Sequence, residues 1–278
     1  MAQAPQVGCH LIVYHGRQDE DLDAVLGEVR AAGYDGVEAR ILAGGDPARA
    51  RAKLDEYGLR QGSMSTGYAM LDDLEETLAY ATGVGAGFVM VSGVGDHQTE
   101  GLGAYERAAD RFNEVGRRCK DAGVQFCYHN HSWEFARYVP SDPAQEVPYG
   151  TPGSVTGLER LLALTDPQLV KGCFDVYWIQ HGGEDPAAFL QRYRDRVGYP
   201  HFKDLRYLGG EPRPSGRLSR EAATFVELGR GEVDLPAIWR VLAPLNLPWV
   251  VYEQDRSDLP PGEAAAISRR HLKETLGI

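Results

Sequence analysis

The chain has 278 residues, 43% hydrophobic and 25% charged, with a formal net charge of −11 and a pI near 5.2. That is ordinary globular composition, long enough for one large core, and so acidic a surface argues against a nucleic-acid partner. The four cysteines lack C-x-x-C spacing, the first residues lack a basic start and apolar run, and no stretch approaches 18 apolar residues; the expectation is a cytoplasmic protein with reduced thiols, outside any membrane.

Strand-like and helix-like segments alternate along the whole chain. "VGCHLIVY" (7–14) reads as a strand. Leu22, Val25, Leu26 and Val29 follow at i, i+3, i+4 and i+7, the apolar stripe of a helix. The next strands are "YDGVEAR" (34–40), "RQGSMST" (60–66), "GFVMVSG" (87–93) and "VQFCYHNH" (124–131). "DLEETLAYATGVG" and "YERAADRFNEVGRRCKDAG" are the helices on either side of the fourth strand, each running into a glycine stop. "LVKGCFDVYW" (169–178), "YPHFKDL" (199–205) and "WVVYEQD" (249–255) complete eight strands, and the Ala-rich "PGEAAAISRRHLKETLG" is a last helix.

Parallel strands need crossover helices. Eight repeats, a length near ~250 residues and no G-x-G-x-x-G after the first strand favour a (β/α)8 TIM barrel over an open doubly wound sheet. No linker divides residues 1–278, so a single domain is expected. The connections at 136–155 and 206–222 are long, and both are expected as lids on the rim at the strands' C-terminal ends.

Chemistry in such a barrel sits on that rim. The last four strands end in "YHNH", "FDVY", "HFKD" and "YEQDR", bringing His129, Asp175, His201 and Glu253 to similar depth. Strand alternation points His129 with His131, His201 with Lys203 and Glu253 with Asp255. Carboxylates mixed with imidazoles suit one divalent ion, Mn2+, Co2+, Zn2+, Fe2+ or Mg2+. A closed ion-pair network at the barrel mouth is the other use of the same residues.

"YHNHSWEF", "CFDVYW", "HFKDL", "GRGEVD" and "YEQDRS", in this order, resemble the xylose-isomerase-like TIM-barrel superfamily of sugar phosphate isomerases and epimerases, which includes inosose dehydratase and endonuclease IV. The resemblance covers nearly the whole chain. It implies a metal held by a Glu, an Asp, a His and a Glu on strands 5 to 8; Asp175, His201 and Glu253 match the last three. On strand 5 the family's Glu-x-His is replaced by His129-Asn130-His131. The expected ligand set is therefore Glu134, Asp175, His201 and Glu253, with His129 left to bind substrate; His129 itself as the ligand stays open.

The resemblance implies proton abstraction next to a carbonyl, with the ion stabilising an enediolate. His131 and Glu253 are the expected acid–base groups, and Lys203 an oxyanion stabiliser. Glu38, Trp178 and Arg256 are expected at the substrate, although Glu38 could equally close the polar mouth and Arg256 pair with Asp255 or Asp258. Trp133 and Tyr177 could add to an aromatic wall, whereas His15 and His97 read as solvated loop residues. "LGRGEVDL" (228–235) reads as a glycine turn with Asp234 as a helix N-cap, not a phosphate loop. The expected activity is isomerisation or epimerisation of a small keto-sugar or cyclitol, phosphorylated or not. An inosose-type dehydratase is the alternative, and an endonuclease IV-like DNA repair enzyme a remote one that the acidic charge disfavours. A homo-oligomer is compatible with all of them.

Overall fold

The computed structural model describes residues 4–208 and 216–278. Eight parallel strands close a barrel: β1 (Gln6–His10), β2 (Gly36–Ala39), β3 (Arg60–Gly67), β4 (Phe88–Ser92), β5 (Gln125–His129), β6 (Val170–Asp175), β7 (Val197–Phe202) and β8 (Trp249–Tyr252). Each pairs with its neighbours in sequence, and β1 closes the ring against β8. The outer helices are α1 (Leu22–Ala32), α2 (Pro47–Glu56), α3 (Leu74–Val84), α4 (Leu102–Asp121), α5 (Gly157–Leu164), α6 (Pro186–Arg192), α7 (Leu235–Leu242) and α8 (Pro261–His271). This is a TIM barrel, and each of the eight expected strands is present. Among the described residues no helix is long and apolar enough to cross a membrane.

The period-2 pattern sorts the core into two layers. Val89, Val91, Phe126, Tyr128 and Phe174 face outward into the large core under the helices. Their alternates Phe88, Met90, Cys127 and Cys173 join Tyr199, Trp249 and Val251 inside the barrel. Trp249 is the large plug of that inner layer. A Cβ on Gly62 would lie 2.5 Å from its ring, and one on Gly36 2.7 Å, so glycine is required at both places for the indole to fit. All four cysteines are buried and unbridged.

The helix face expected from Val25, Leu26 and Val29 is buried, and α1 ends on Gly33 with φ +90°. Of the two long connections, the first is not a bare loop. Arg137–Val139 pairs antiparallel with Asp142–Val147 and with Val155–Thr156. In the second, Asp204–Tyr207 pairs antiparallel with Ala223–Val226, and residues 209–215 of the expected lid lie outside the described residues. The glycine turn before α7 wraps a carboxylate of the chain itself. Asp204 accepts from the backbone N–H groups of Gly229, Gly231 and Val233, each at 3.0 Å, while Asp234 caps α7 through Ala237 N at 2.8 Å. Those donors are thus taken, which is why the turn is no phosphate loop.

Candidate active site

Register sets the depth of the reactive side chains. His201 on β7 lies opposite Asp175 on β6, His129 on β5 lies opposite Cys173, and His10 on β1 lies opposite Glu38 on β2. Asp175 is also the N-cap of a short helix, Val176–His181. Its Oδ1 accepts from Trp178 N at 2.9 Å, while Oδ2 is buried without a hydrogen-bond partner. The cap uses one oxygen and leaves the other for the site. Asn130 fixes β5 to β6: its Oδ1 accepts from Asp175 N at 3.0 Å.

His201 is fully buried between two carboxylates. Nδ1 lies 2.7 Å from Glu253 Oε2 and Nε2 lies 2.9 Å from Glu38 Oε1. Although close, neither nitrogen makes an aligned hydrogen bond. Burial opposes charge on this imidazole, but the neighbouring thiol and the Glu38 and Glu253 carboxylates drive it well above its ordinary value. Glu253 shows the reciprocal effect. Burial works to raise its carboxyl, but Lys203 and His201 outweigh that and hold it well below the usual carboxylate range. Asp175, with less compensation, is pushed up by burial to about 7, against the pull of Lys203.

Lys203 is buried behind these carboxylates. Nζ donates to Glu253 Oε1 at 2.8 Å, lies 3.6 Å from Asp175 Oδ2 and pairs with Asp255. Aromatic faces close the rest of its shell: Trp178 at 4.9 Å, Phe225 at 5.1 Å and Tyr177 at 5.6 Å from Nζ to ring centre. Burial alone would strip its proton; the three carboxylates raise its affinity above that of a free lysine instead. It is a fixed cation that orients Glu253 and Asp175. It does not line the cavity, so the expected direct contact with a substrate oxyanion is not seen.

On β5 the two histidines point the same way, with ring centres 4.8 Å apart. His129 is buried and held well below its ordinary value by burial, hence neutral, with Nδ1 3.9 Å from Cys173 Sγ. His131 is half-buried and stacks on Trp133 at 3.9 Å; burial and then Lys203 lower it to about 3. Its Nδ1 has no partner. Glu134 is placed elsewhere. Oε1 accepts from Tyr128 OH at 2.6 Å and Oε2 from His131 N at 2.8 Å, so its carboxylate pins the turn after β5 and does not join the donor cluster. The physical reason is the short helical turn Trp133–Phe135, which folds Glu134 back onto its own strand.

The rim encloses a cavity of about 690 Å³. His129, His131, Glu253 and Asp255 line it, with His10 and Ser65. Glu38 does not; it stands behind His10 and His201, with Tyr199 OH donating to Oε2 at 2.6 Å. Trp178 packs 5.4 Å from His131, one layer back from the lining. Arg256 is exposed and outside the lining, so nothing in the fold directs it to a substrate. His15 is exposed, as a loop histidine should be, yet it also lines the cavity; His97 stacks on Trp133 at 5.7 Å. Sequence reasoning missed His10 and Tyr199. His10 was readable, since it is the last residue of β1 and obeys the same strand-end rule. Tyr199 lies lower, on the inner face of β7, and only packing shows its hydroxyl reaching Glu38.

The donors fit a divalent ion. One ligand atom from each of His129, Asp175, His201 and Glu253 lies within 4.8 Å of the others. A tetrahedral set with bonds of ~2.1 Å spaces its donors by about 3.4 Å, so a small contraction completes it. Asp175 Oδ2, which accepts no hydrogen bond, and one of the unaligned His201 nitrogens are the atoms such an ion would satisfy. Lys203 occupies the far oxygen of Glu253 and leaves Oε2 on the cluster side.

An inosose dehydratase of Lacticaseibacillus casei is 27% identical over 286 residues, covering 92% of this chain and 90% of that protein. A sugar phosphate isomerase/epimerase from Parabacteroides distasonis superposes with a TM-score of 0.75 at 20% identity, over 99% of this chain and 96% of that one. The IOLI protein with a binding zinc atom superposes with a TM-score of 0.71 at 14% identity, over 97% of both chains. The family model for the xylose isomerase-like TIM barrel matches residues 26–275, and the chain belongs to that family.

Proposed function

We propose that this chain enolises a small keto-polyol, a keto-sugar or cyclitol, with one divalent ion, and that the outcome is loss of water from the adjacent carbon, as in an inosose-type dehydratase. The observation that carries this reading is the convergence of one ligand atom from each of His129, Asp175, His201 and Glu253 within 4.8 Å of one another, with His129 and Glu253 lining the cavity. The zinc named for the IOLI protein and the dehydratase name of the 27%-identical relative support it. Held by these four residues, a divalent ion would act as a Lewis acid on a carbonyl and the neighbouring hydroxyl.

The chain's own residues supply the proton chemistry. His131 is neutral and lines the cavity, so its imidazole is the group assigned to take the proton on the α-carbon; its Nδ1 is buried and makes no hydrogen bond within the protein. The resulting imidazolium returns that proton to the departing β-hydroxyl, so a carbon–hydrogen and a carbon–oxygen bond break, a carbon–carbon double bond forms and water leaves. Stacking on Trp133 holds the ring in place. Lys203 and His201 keep Glu253 ionised, and Glu38 positions His201 and His10.

Isomerisation or epimerisation is the second reading, supported by Glu253 lining the cavity as a further acid–base group beside His131. Incubating the full chain in D2O with Mn2+ and an inosose or a keto-hexose separates the outcomes. Dehydration gives an enone absorbance and released water. Deuterium in recovered sugar without absorbance points to epimerisation or isomerisation. Neither signal across the panel, with metal bound, ends the enolisation reading.

A further inference from the structure

The cavity is larger than the proposed reaction needs, and its lining is of two kinds. A volume of about 690 Å³ lies mid-range among drug-sized ligand pockets of ~300–1,000 Å³, whereas a free hexose or inosose has only a dozen non-hydrogen atoms. The ionisable lining comes from the ends of β5 and β8 together with His10, and from His15, Asp19 and Arg40 in the connections after β1 and β2. The same lining carries a set of large apolar side chains: Leu11 and Ile12 after β1, Ile41 and Leu42 after β2, and Met64 and Met70 from β3 and the turn after it, with His15, Gln18, Asp19 and Arg40 between them in sequence. Ile12 is 40% exposed and Met70 47%, two of the five exposed large hydrophobics among the described residues, and both line this one cavity. Exposed apolar residues scattered singly need no explanation. A pair lining the same cavity as buried Leu11 and Leu42, and as the reactive residues of β5 and β8, is a surface suited to be covered.

The charges of the lining point the same way. Among the described residues that line it, Arg40, exposed at the rim, is the one guanidinium or ammonium group, against three carboxylates, Asp19, Glu253 and Asp255. Phosphate recognition relies on guanidinium or ammonium groups or a cluster of backbone donors. Among the described lining residues the carboxylates outnumber these cations, and the glycine turn before α7, which gathers N–H groups, is filled by Asp204.

We infer that the substrate is unphosphorylated and carries an apolar substituent, such as the aryl or alkyl aglycone of a glycoside, seated on the wall formed by Ile12, Ile41, Leu42 and Met70. This rests on the enolisation reading for where the polyol ring docks. The methionine supplies adaptable contact, so a range of aglycones would be accepted.

Titration calorimetry on the full chain with Mn2+ tests it through binding alone, using methyl β-glucopyranoside, phenyl β-glucopyranoside and glucose 6-phosphate. The phenyl compound is expected to bind at least tenfold tighter than the methyl one, and the phosphate weakest. The double variant Ile12→Ser, Met70→Ser removes that preference and leaves methyl glucoside affinity within twofold. Both residues are exposed, and an unchanged urea midpoint verifies the fold. A preference below tenfold, no binding of either glucoside, a preference untouched by the double variant, or tightest binding of the phosphate overturns the inference. Deuterium exchange is read separately. Exchange without aryl preference condemns the apolar subsite and spares the reaction; aryl preference without exchange does the reverse.

Discussion

The two halves of the barrel rim are built on different physical terms. From β5 to β8 the strand ends carry His129, Asp175, His201, Lys203 and Glu253, all buried, and the last four stand within one web of charge. From β1 to β4 the lining is richer in apolar and small residues, with Leu11, Ile41, Leu42, Met64, Ser65 and Met70, and its charged side chains Asp19 and Arg40 stand in connecting segments and not at strand ends within the web. Only His10 and Glu38 cross over, and they do so by reaching His201 and Glu253. A buried charge web tolerates no missing member, because each partner offsets the desolvation of another. An apolar wall is additive and forgiving, since each side chain contributes its own area. The division teaches where single substitutions are catastrophic and where they are graded.

The sharpest break of that contrast is Asp175→Asn. Asparagine is as good an N-cap as aspartate, so the helix Val176–His181 keeps its start, while the charge facing the metal position is lost. Turnover is expected to fall about 10⁴-fold, equivalent to roughly 5.5 kcal/mol, and metal retained through gel filtration to fall with it. The urea midpoint and elemental analysis separate the two effects: a folded variant with full metal content and near-normal turnover removes Asp175 from the site.

Next in size is Lys203→Met. Methionine fills the aromatic shell of Tyr177, Trp178 and Phe225 but leaves Glu253, Asp175 and Asp255 facing one another. Breaking a buried charge group in this way costs about 4 kcal/mol of stability by urea unfolding. An equivalent change on the other wall, Leu42→Met, costs under about 1.5 kcal/mol. Equal losses at the two places would refute the division of the rim.

Much of this was legible in the sequence, and the limits are physical. Period-2 and 3.6-residue patterns located all eight strands, because a parallel strand is buried on both faces and reads as an apolar run between helical stripes. Position at a strand's C-terminal end then selected Asp175, His201 and Glu253. Glu134 misled because sequence distance carries no direction: five residues past a strand end, a carboxylate can turn toward the pore or back onto its own strand, and a single helical turn decided for Tyr128. Lys203 was found, but its depth was not; alternation gives a face, not a layer. The apolar wall was invisible, since its members come from three separate connections and no periodicity links them.

Glu134 supplies a smaller effect, and one with a pH signature. Burial raises its carboxyl from 4.5 to about 7, so the folded protein holds a proton that the unfolded chain releases above the lower value. Its contribution to stability is therefore complete below pH 4.5 and is lost as pH rises toward 7, by about 3 kcal/mol at ~1.4 kcal/mol per unit. Glu134→Gln, which can donate to Tyr128 OH and accept from His131 N, removes that slope. Urea midpoints for both proteins at pH 5 and pH 7 give the difference, and parallel slopes would show that this carboxyl is ionised in the folded chain throughout.

The smallest effect is expected at Arg256, and it separates position in the sequence from position in the fold. Three residues beyond Glu253, it looked like a substrate anchor. In the structure its side chain is exposed and away from the cavity, and only its backbone carbonyl is used, accepting from Gln254 Nε2 at 2.8 Å. Arg256→Ala retains that carbonyl, so Gln254 stays tied to Tyr252 OH and the loop keeps its shape. Stability should stay within about 0.5 kcal/mol, and kcat/KM within twofold on any substrate that the Asp175→Asn protein fails to turn over. A loss above tenfold, confined to KM, would mean that the loop after β8 folds over the bound polyol, and the late half of the rim would then recognise substrate as well as react with it.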